Sequence, residues 1–236
     1  KFTVITLIAS LMLSLLIATS YGSVPLPLKT TLLILSKPLA YISSSTSERT
    51  IESVILIDIR LPRVISAALV GASLAASGVL FQGLLRNPMA DPYFLGTSAG
   101  AALGATLALS LTGATALFGW GVVPTFAFAG ALLTVTVVYL LATIDGSTPV
   151  IRLILTGFVV SAVLMATVTL LIVLNSHLQL NIRHLVAFLF GGFGTNNWQQ
   201  IMTLAPVILA CLGYSFVTAN ILNAFSLGEE VAYNLG

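Results

Sequence analysis

The stretch "LLRNPMADPYFLG", Leu84 to Gly96, sets an arginine, an aspartate and two prolines between two long apolar runs, and its reading decides the fold. Neither the run from Val64 to Leu85 nor the run from Tyr93 to Phe118 contains an Asp, Glu, Lys, Arg or His. A helix crosses a bilayer with roughly 20 consecutive, mostly apolar residues, so both runs are long enough. Asn87-Pro88 should stop the first, because the residue before a proline is driven out of the helical region. Asp91-Pro92 should start the second, pairing an N-cap side chain with the residue best suited to the first helical position. Arg86 is expected in the last turn of the first helix, where a cation favours the negative end of the dipole. The stretch therefore predicts a tight reversal between two membrane helices.

Composition agrees with lipid as the solvent. Of 236 residues, 58% are apolar and only 7% are charged, whereas a soluble domain carries about a quarter charged residues. Six spans follow from the charges that bound them: about Phe2 to Tyr21, Val64 to Leu85, Tyr93 to Phe118, Val122 to Ile144, Leu153 to Leu174 and Gln199 to Phe225. The fold class expected is an all-α polytopic membrane bundle. The first run has the outline of a signal peptide, with a basic start and an Ala18-Thr19-Ser20 exit, but five further spans favour a retained helix. Thr148-Pro149 repeats the helix-start device before the fifth span, Pro124 opens the fourth, and Pro206 should kink the sixth. Cys211, the lone cysteine, has no partner for a disulfide within the chain.

Helix contacts in lipid favour small residues that let backbones approach. Gly96, Gly100, Gly104 and Ala108 recur every fourth residue on the third span, and Ala67, Gly71 and Ala75 do so on the second. Generic helix packing is the reading for both stripes.

Ion-coupled carriers keep ionisable residues inside the membrane, and these spans have none. A phosphate-cradling G-x-x-x-x-G-K-[ST] loop is also absent, since "LFGGFGTNN" lacks the lysine. A transporter of this kind takes its energy from another subunit, or else the chain is a passive pore or uncoupled carrier. No zinc-protease or nucleophile motif supports catalysis, and no signature supports nucleic acid or a cofactor. His177 and His184 are the only histidines; their spacing of seven puts both on one side of a helix, but a polar joining segment accounts for them without a metal.

The tail "SLGEEVAYNLG" has a different character. Ser226 and Glu229 form a capping box, Glu230 adds charge to the first turn, and Leu227, Val231 and Leu235 make one apolar stripe, with Gly236 in a terminating position. The expectation is a short acidic helix that docks on a protein rather than on lipid, because lipid-surface helices are rich in Lys and Arg.

Four blocks resemble the membrane subunits of ABC importers for ferric siderophores, haem and vitamin B12, the FecCD type. They are "RLPR" (Arg60 to Arg63), "GLLRNPMADPYFLGTSAGA" (Gly83 to Ala101), "FGGFGTNNW" (Phe190 to Trp198) and the tail (Ser226 to Gly236). Met89 stands where the family more often has leucine. The resemblance implies a single transmembrane permease domain over residues 1–236, with 227–235 opening a cytoplasmic coupling region. It also implies about ten spans in all, so that the last third is missing and the start, without methionine, is trimmed.

The partners implied are a second permease subunit, cytoplasmic ATPases, an extracytoplasmic substrate-binding protein and the lipid of the cell membrane. The sites implied are Arg60 and Arg63 for docking the binding protein. Asn87, Pro88, Asp91 and Pro92 with Ser147 and Thr148 would form inner gate turns. Leu227, Gly228, Glu229, Glu230, Val231 and Leu235 would contact the ATPase. The fifth span, weakly polar through Ser161, Thr167 and Thr169, would flank the pathway. The implied topology puts Lys1, Arg86 and Arg152 inside and Lys29, Lys37, Arg49, Arg60, Arg63 and Arg183 outside, against the positive-inside tendency.

Overall fold

A backbone in lipid must satisfy its own N–H and C=O groups, which leaves runs as apolar as these little choice but helix. In the computed structural model, which describes residues 2–36, 50–110, 121–144, 149–180, 182–192 and 197–226, the regular elements are all helices. They are α1 (Phe2–Ser20), α2 (Leu28–Ser36), α3 (Ile51–Leu85), α4 (Thr97–Ser110), α5 (Val122–Ala142), α6 (Val150–Leu174), α7 (Ser176–Leu180), α8 (Ile182–Leu189), α9 (Trp198–Val217) and α10 (Ala219–Ser226), with a short 3-10 turn at Pro92–Leu95. Among the described residues, α1, α3, α5, α6 and α9 are long and apolar enough to cross a membrane. Their surfaces are correspondingly greasy, with Phe2, Phe158 and Phe216 all largely exposed.

Several boundaries differ from expectation. The helix expected from Val64 begins thirteen residues earlier, at Ile51, and therefore includes Glu52, Asp58, Arg60 and Arg63. Thr50 starts it, its hydroxyl accepting from the Ser53 N–H at 3.3 Å. Pro62 would normally break such a helix, because it has no N–H and its ring strikes the carbonyl four residues back. The chain accommodates it by widening to a π-helix at Ile55–Arg60, where Leu61 N–H bonds to the carbonyl of Leu56, five residues back. The third expected span is interrupted at Gly96, whose φ of 76° separates the 3-10 turn from α4. The described part of α4 is 14 residues long, and 111–120 lie outside the described residues. The sixth is divided at Thr218 into α9 and α10. Pro149 occupies the N-cap of α6, one position earlier than expected.

The chain divides into two compact units. One comprises Lys1–Ala72 and Phe193–Pro206 and is built on Leu26, Ile34, Leu56 and Ile57. Its π-helical carbonyl of Ile57 accepts from the Trp198 indole N–H at 2.9 Å. The other comprises Ser73–Gly192 and Val207–Gly236 and packs Ala105, Ala127 and Leu185 together with Ala101, Leu109, Val123 and Ile172.

In the second unit α4, α5 and α6 meet through small residues. A Cβ on Gly100 would collide with Thr134 and the Gly130 carbonyl, one on Gly104 with the Phe126 carbonyl, and one on Gly157 with the Phe94 carbonyl. Backbones are in contact there, the arrangement small residues permit in lipid. Gly96 faces Ser161 and Thr134, and its left-handed backbone is a conformation that favours glycine. The other stripe behaves differently: Ala67, Gly71 and Ala75 are exposed, and a Cβ on Gly71 would meet nothing within 4 Å.

Candidate functional site

The first candidate lies where α1 ends beside the π-helical start of α3. The last carbonyls of any helix lack intrahelical partners. Those of Thr19 and Ser20 accept from one Arg60 nitrogen at 2.9 and 2.8 Å, and Val24 O accepts from the other terminal nitrogen. A guanidinium suits this place, since its fork of donors has fixed geometry and its charge meets the negative end of the α1 dipole. Arg60 is only 8% exposed. Gly22 lies against it, with a Cβ there falling 2.9 Å from Nη2. Arg63, one turn on, is exposed. The two arginines of the "RLPR" block thus lie in opposite environments. They share the lining of a groove of about 310 Å³ with Tyr21, Ser23, Ile55 and Ile59.

The second candidate is the reversal from Arg86 to Gly96. Arg86 is not in the last turn of α3 but just beyond it, at φ 49°. Asn87 N–H reaches back to Gln82 O at 3.2 Å, the closure of a helix C-terminus that requires one left-handed residue and usually takes glycine. Pro88 helps enforce it by denying Asn87 a helical backbone. Asn87 Oδ1 then accepts from Met89 N–H, and Asp91 Oδ1 from Tyr93 N–H, both at 2.9 Å. Asn87 and Asp91 are therefore occupied in shaping the turn, and Pro92 opens the 3-10 segment. Arg86, Asn87, Pro88 and Met89 are exposed while Ala90 is buried.

Three hydroxyls of α6 turn back on their own helix. Ser161 donates to Gly157 O at 2.7 Å, Thr167 to Val163 O at 2.8 Å and Thr169 to Met165 O at 3.0 Å. Their donor capacity is used, which leaves the helix surface close to apolar. His177 falls on α7 and His184 on α8, separate elements rather than one helix. Ser147 and Thr148 lie outside the described residues, as do Leu227, Gly228, Glu229, Glu230, Val231 and Leu235; Ser226 ends α10. Sequence reasoning missed Gly22 and Trp198. Only Trp198 offered a signal, since a buried indole N–H needs an acceptor.

A chain whose described residues form five helices long and apolar enough to cross a membrane is a multi-pass membrane protein. The chain belongs to the FecCD transport family, which it matches over residues 8–236. It is similar to the cobalamin import system permease protein BtuC of Halobacterium salinarum, 41% identical over 78% of this chain and 48% of that protein. It is also similar to the Fe(3+)-citrate import system permease protein YfmD of Bacillus subtilis, 34% identical over 78% of this chain and 53% of that one. The hemin transport system permease protein HmuU of Yersinia pestis is 37% identical over 77% and 54% respectively. The chain spans about half the length of these curated relatives. A solved ABC transporter in an inward-facing conformation superposes with a TM-score of 0.74 at 28% identity, covering 98% of this chain and 67% of that one.

Proposed function

We propose that the chain is the membrane subunit of an ABC importer for a metal chelate such as a ferric siderophore, haem or cobalamin. It forms the pathway with a second permease subunit and takes energy from cytoplasmic ATPases. The observation that carries this is the family match over residues 8–236, together with relatives named for cobalamin, ferric citrate and hemin import. The near-apolar face of α6 supports a lining that passes a bulky chelate without gripping it, leaving affinity to a separate binding protein. Arg63, exposed at the start of α3, supplies a cation for acidic residues of that protein. The Asn87–Pro92 reversal, with Ser147 and Thr148 in the neighbouring turn, serves as the inner gate, and the stripe Leu227, Val231 and Leu235 enters a groove on the ATPase.

Expression of the full operon, with purification of the permease and uptake of labelled ferric chelate and cobalamin, tests the reading. An ATPase should co-purify and one cargo should accumulate in an ATP-dependent way. Accumulation that proceeds without a bound ATPase would instead mark an uncoupled carrier. Within the same assay, Val231→Asp should abolish ATPase co-purification, because a buried unpaired carboxylate costs on the order of several kcal/mol. Wild-type ATPase stoichiometry in Val231→Asp would remove the tail from the coupling contact.

A further inference from the structure

A proline inside a helix orphans one carbonyl, and the register of the helix decides which. In the α register the N–H of residue 62 is owed to the carbonyl of Asp58, four residues back; in the π register it is owed to that of Ile57, five back. The chain holds the π register here, being π-helical over Ile55–Arg60 with the Leu61 N–H bonded to the carbonyl of Leu56. The next bond in that series is the one Pro62 cannot make. Its acceptor, the carbonyl of Ile57, takes a hydrogen bond from the Trp198 indole N–H at 2.9 Å, across 141 residues of sequence.

Water has little access to this place, since Ile57 is 1% exposed and Pro62 is fully buried. A buried carbonyl left without a donor is costly, so the donor has to come from elsewhere in the chain. An indole suits the task, offering one N–H and no acceptor on an apolar body. The register also matters upstream of the proline. It turns Leu56 and Ile57 into the core they share with Leu26 and Ile34, and Arg60 toward the end of α1. A shift of one residue would rotate those turns by about 100° relative to the rest of α3.

We propose that Trp198 is a positioning residue whose indole N–H replaces the one Pro62 lacks, and that this replacement holds the start of α3 in the π register. Trp198 is the first residue of α9, so the start of α9 sets the rotational position of the first turns of α3. An indole that served only as packing would be indifferent to the residue at position 62. The inference concerns contacts within this chain and stands apart from the reading of its cargo and partners.

The test is a double-mutant cycle on the full-length permease in nanodiscs, read by thermal unfolding and by NMR of isotope-labelled tryptophan. Trp198→Phe keeps an aromatic ring without the N–H and should lower the thermal midpoint by a few degrees. Pro62→Ala returns a backbone N–H to position 62, an exchange that helix propensity favours. In that background Trp198→Phe should lower the midpoint little or not at all. The Trp198 indole signal, identified by its loss in Trp198→Phe, should exchange slowly with solvent in the wild type. Pro62→Ala should accelerate that exchange by about tenfold or more, because the α register then leaves no orphan and the Ile57 carbonyl turns away from the indole. If Trp198→Phe does not insert, 3-benzothienylalanine at position 198, which has the bicyclic ring but no N–H, takes its place in the cycle and in the assignment. An equal loss of midpoint in both backgrounds overturns the replacement of the Pro62 donor by Trp198. Indole exchange unchanged by Pro62→Ala overturns the hold on the register.

Discussion

Around Arg60 the chain joins two helices by reaching across with a cation, whereas around Gly100, Gly104 and Gly157 it joins them by laying backbone against backbone. The first joint depends on geometry at a few atoms: three carbonyls, one guanidinium and a glycine that leaves room for it. The second depends on the absence of atoms. In lipid, burying another methyl against a neighbouring helix brings no hydrophobic gain, so close approach and dispersion decide the contact. A side chain longer than hydrogen is excluded at the centre of the second.

The largest effect should come from filling the glycine joint. Gly104→Leu and Gly157→Leu place side-chain atoms where the Phe126 and Phe94 carbonyls lie, and backbone cannot step aside as a side chain can. Overpacking costs typically about 1–3 kcal/mol and occasionally more, and these positions belong at or above the upper end. Size-exclusion profiles of the detergent-solubilised protein should show loss of the monodisperse peak. A normal peak with an unaltered thermal midpoint would mean that α4 is not packed on α5, nor α6 on the Pro92–Leu95 turn, through those glycines.

Next comes the cationic joint. Gly22→Val should cost about 1–3 kcal/mol by pressing on a guanidinium whose hydrogen bonds to carbonyls are worth about that much, and the cost should largely vanish in an Arg60→Gln background. The double-mutant cycle isolates the coupling. Full additivity would show that Gly22 is required for some reason other than Arg60. Trp198→Phe should cost less, about 1 kcal/mol, by leaving the Ile57 carbonyl unpaired while keeping an aromatic ring in place.

The smallest effect is the sharpest contrast. Gly71→Ala adds a methyl where nothing lies within 4 Å, and helix propensity alone favours alanine by up to about 1 kcal/mol. Its thermal midpoint should be unchanged or slightly raised. A loss comparable to that of Gly104→Leu would show that the Ala67, Gly71 and Ala75 face is covered by another helix in the assembled permease.

Spacing alone treated the two glycine stripes as equals, and that is where sequence reasoning ran out. Repetition every fourth residue says that small side chains share a face, not what stands opposite. For the same reason "RLPR" read as the opening of a span with two equivalent arginines. The π-helix that accommodates Pro62 and turns Arg60 inward has no signature in composition or apolar periodicity. The reversal was far more legible. Asn87, Pro88, Asp91 and Pro92 act on backbone within a few residues of themselves, so helix stop and helix start could be placed from the sequence. What escaped there was the left-handed backbone of Arg86, a position that usually goes to glycine.

By itself, then, the sequence determined the solvent, the class of element and where most apolar runs begin and end. Each of these follows from local terms: transfer of side chains into lipid, backbone hydrogen bonds that must close within the segment, and prolines and caps that act on their neighbours. Only the tertiary structure decided which arginine is spent on a helix end, which glycines touch a backbone, and that the helix through Pro62 continues upstream to Ile51. Those outcomes depend on what a distant part of the chain brings within reach. A guanidinium at position 60 becomes a clamp because carbonyls from positions 19, 20 and 24 stand in front of it, and no local pattern encodes that meeting.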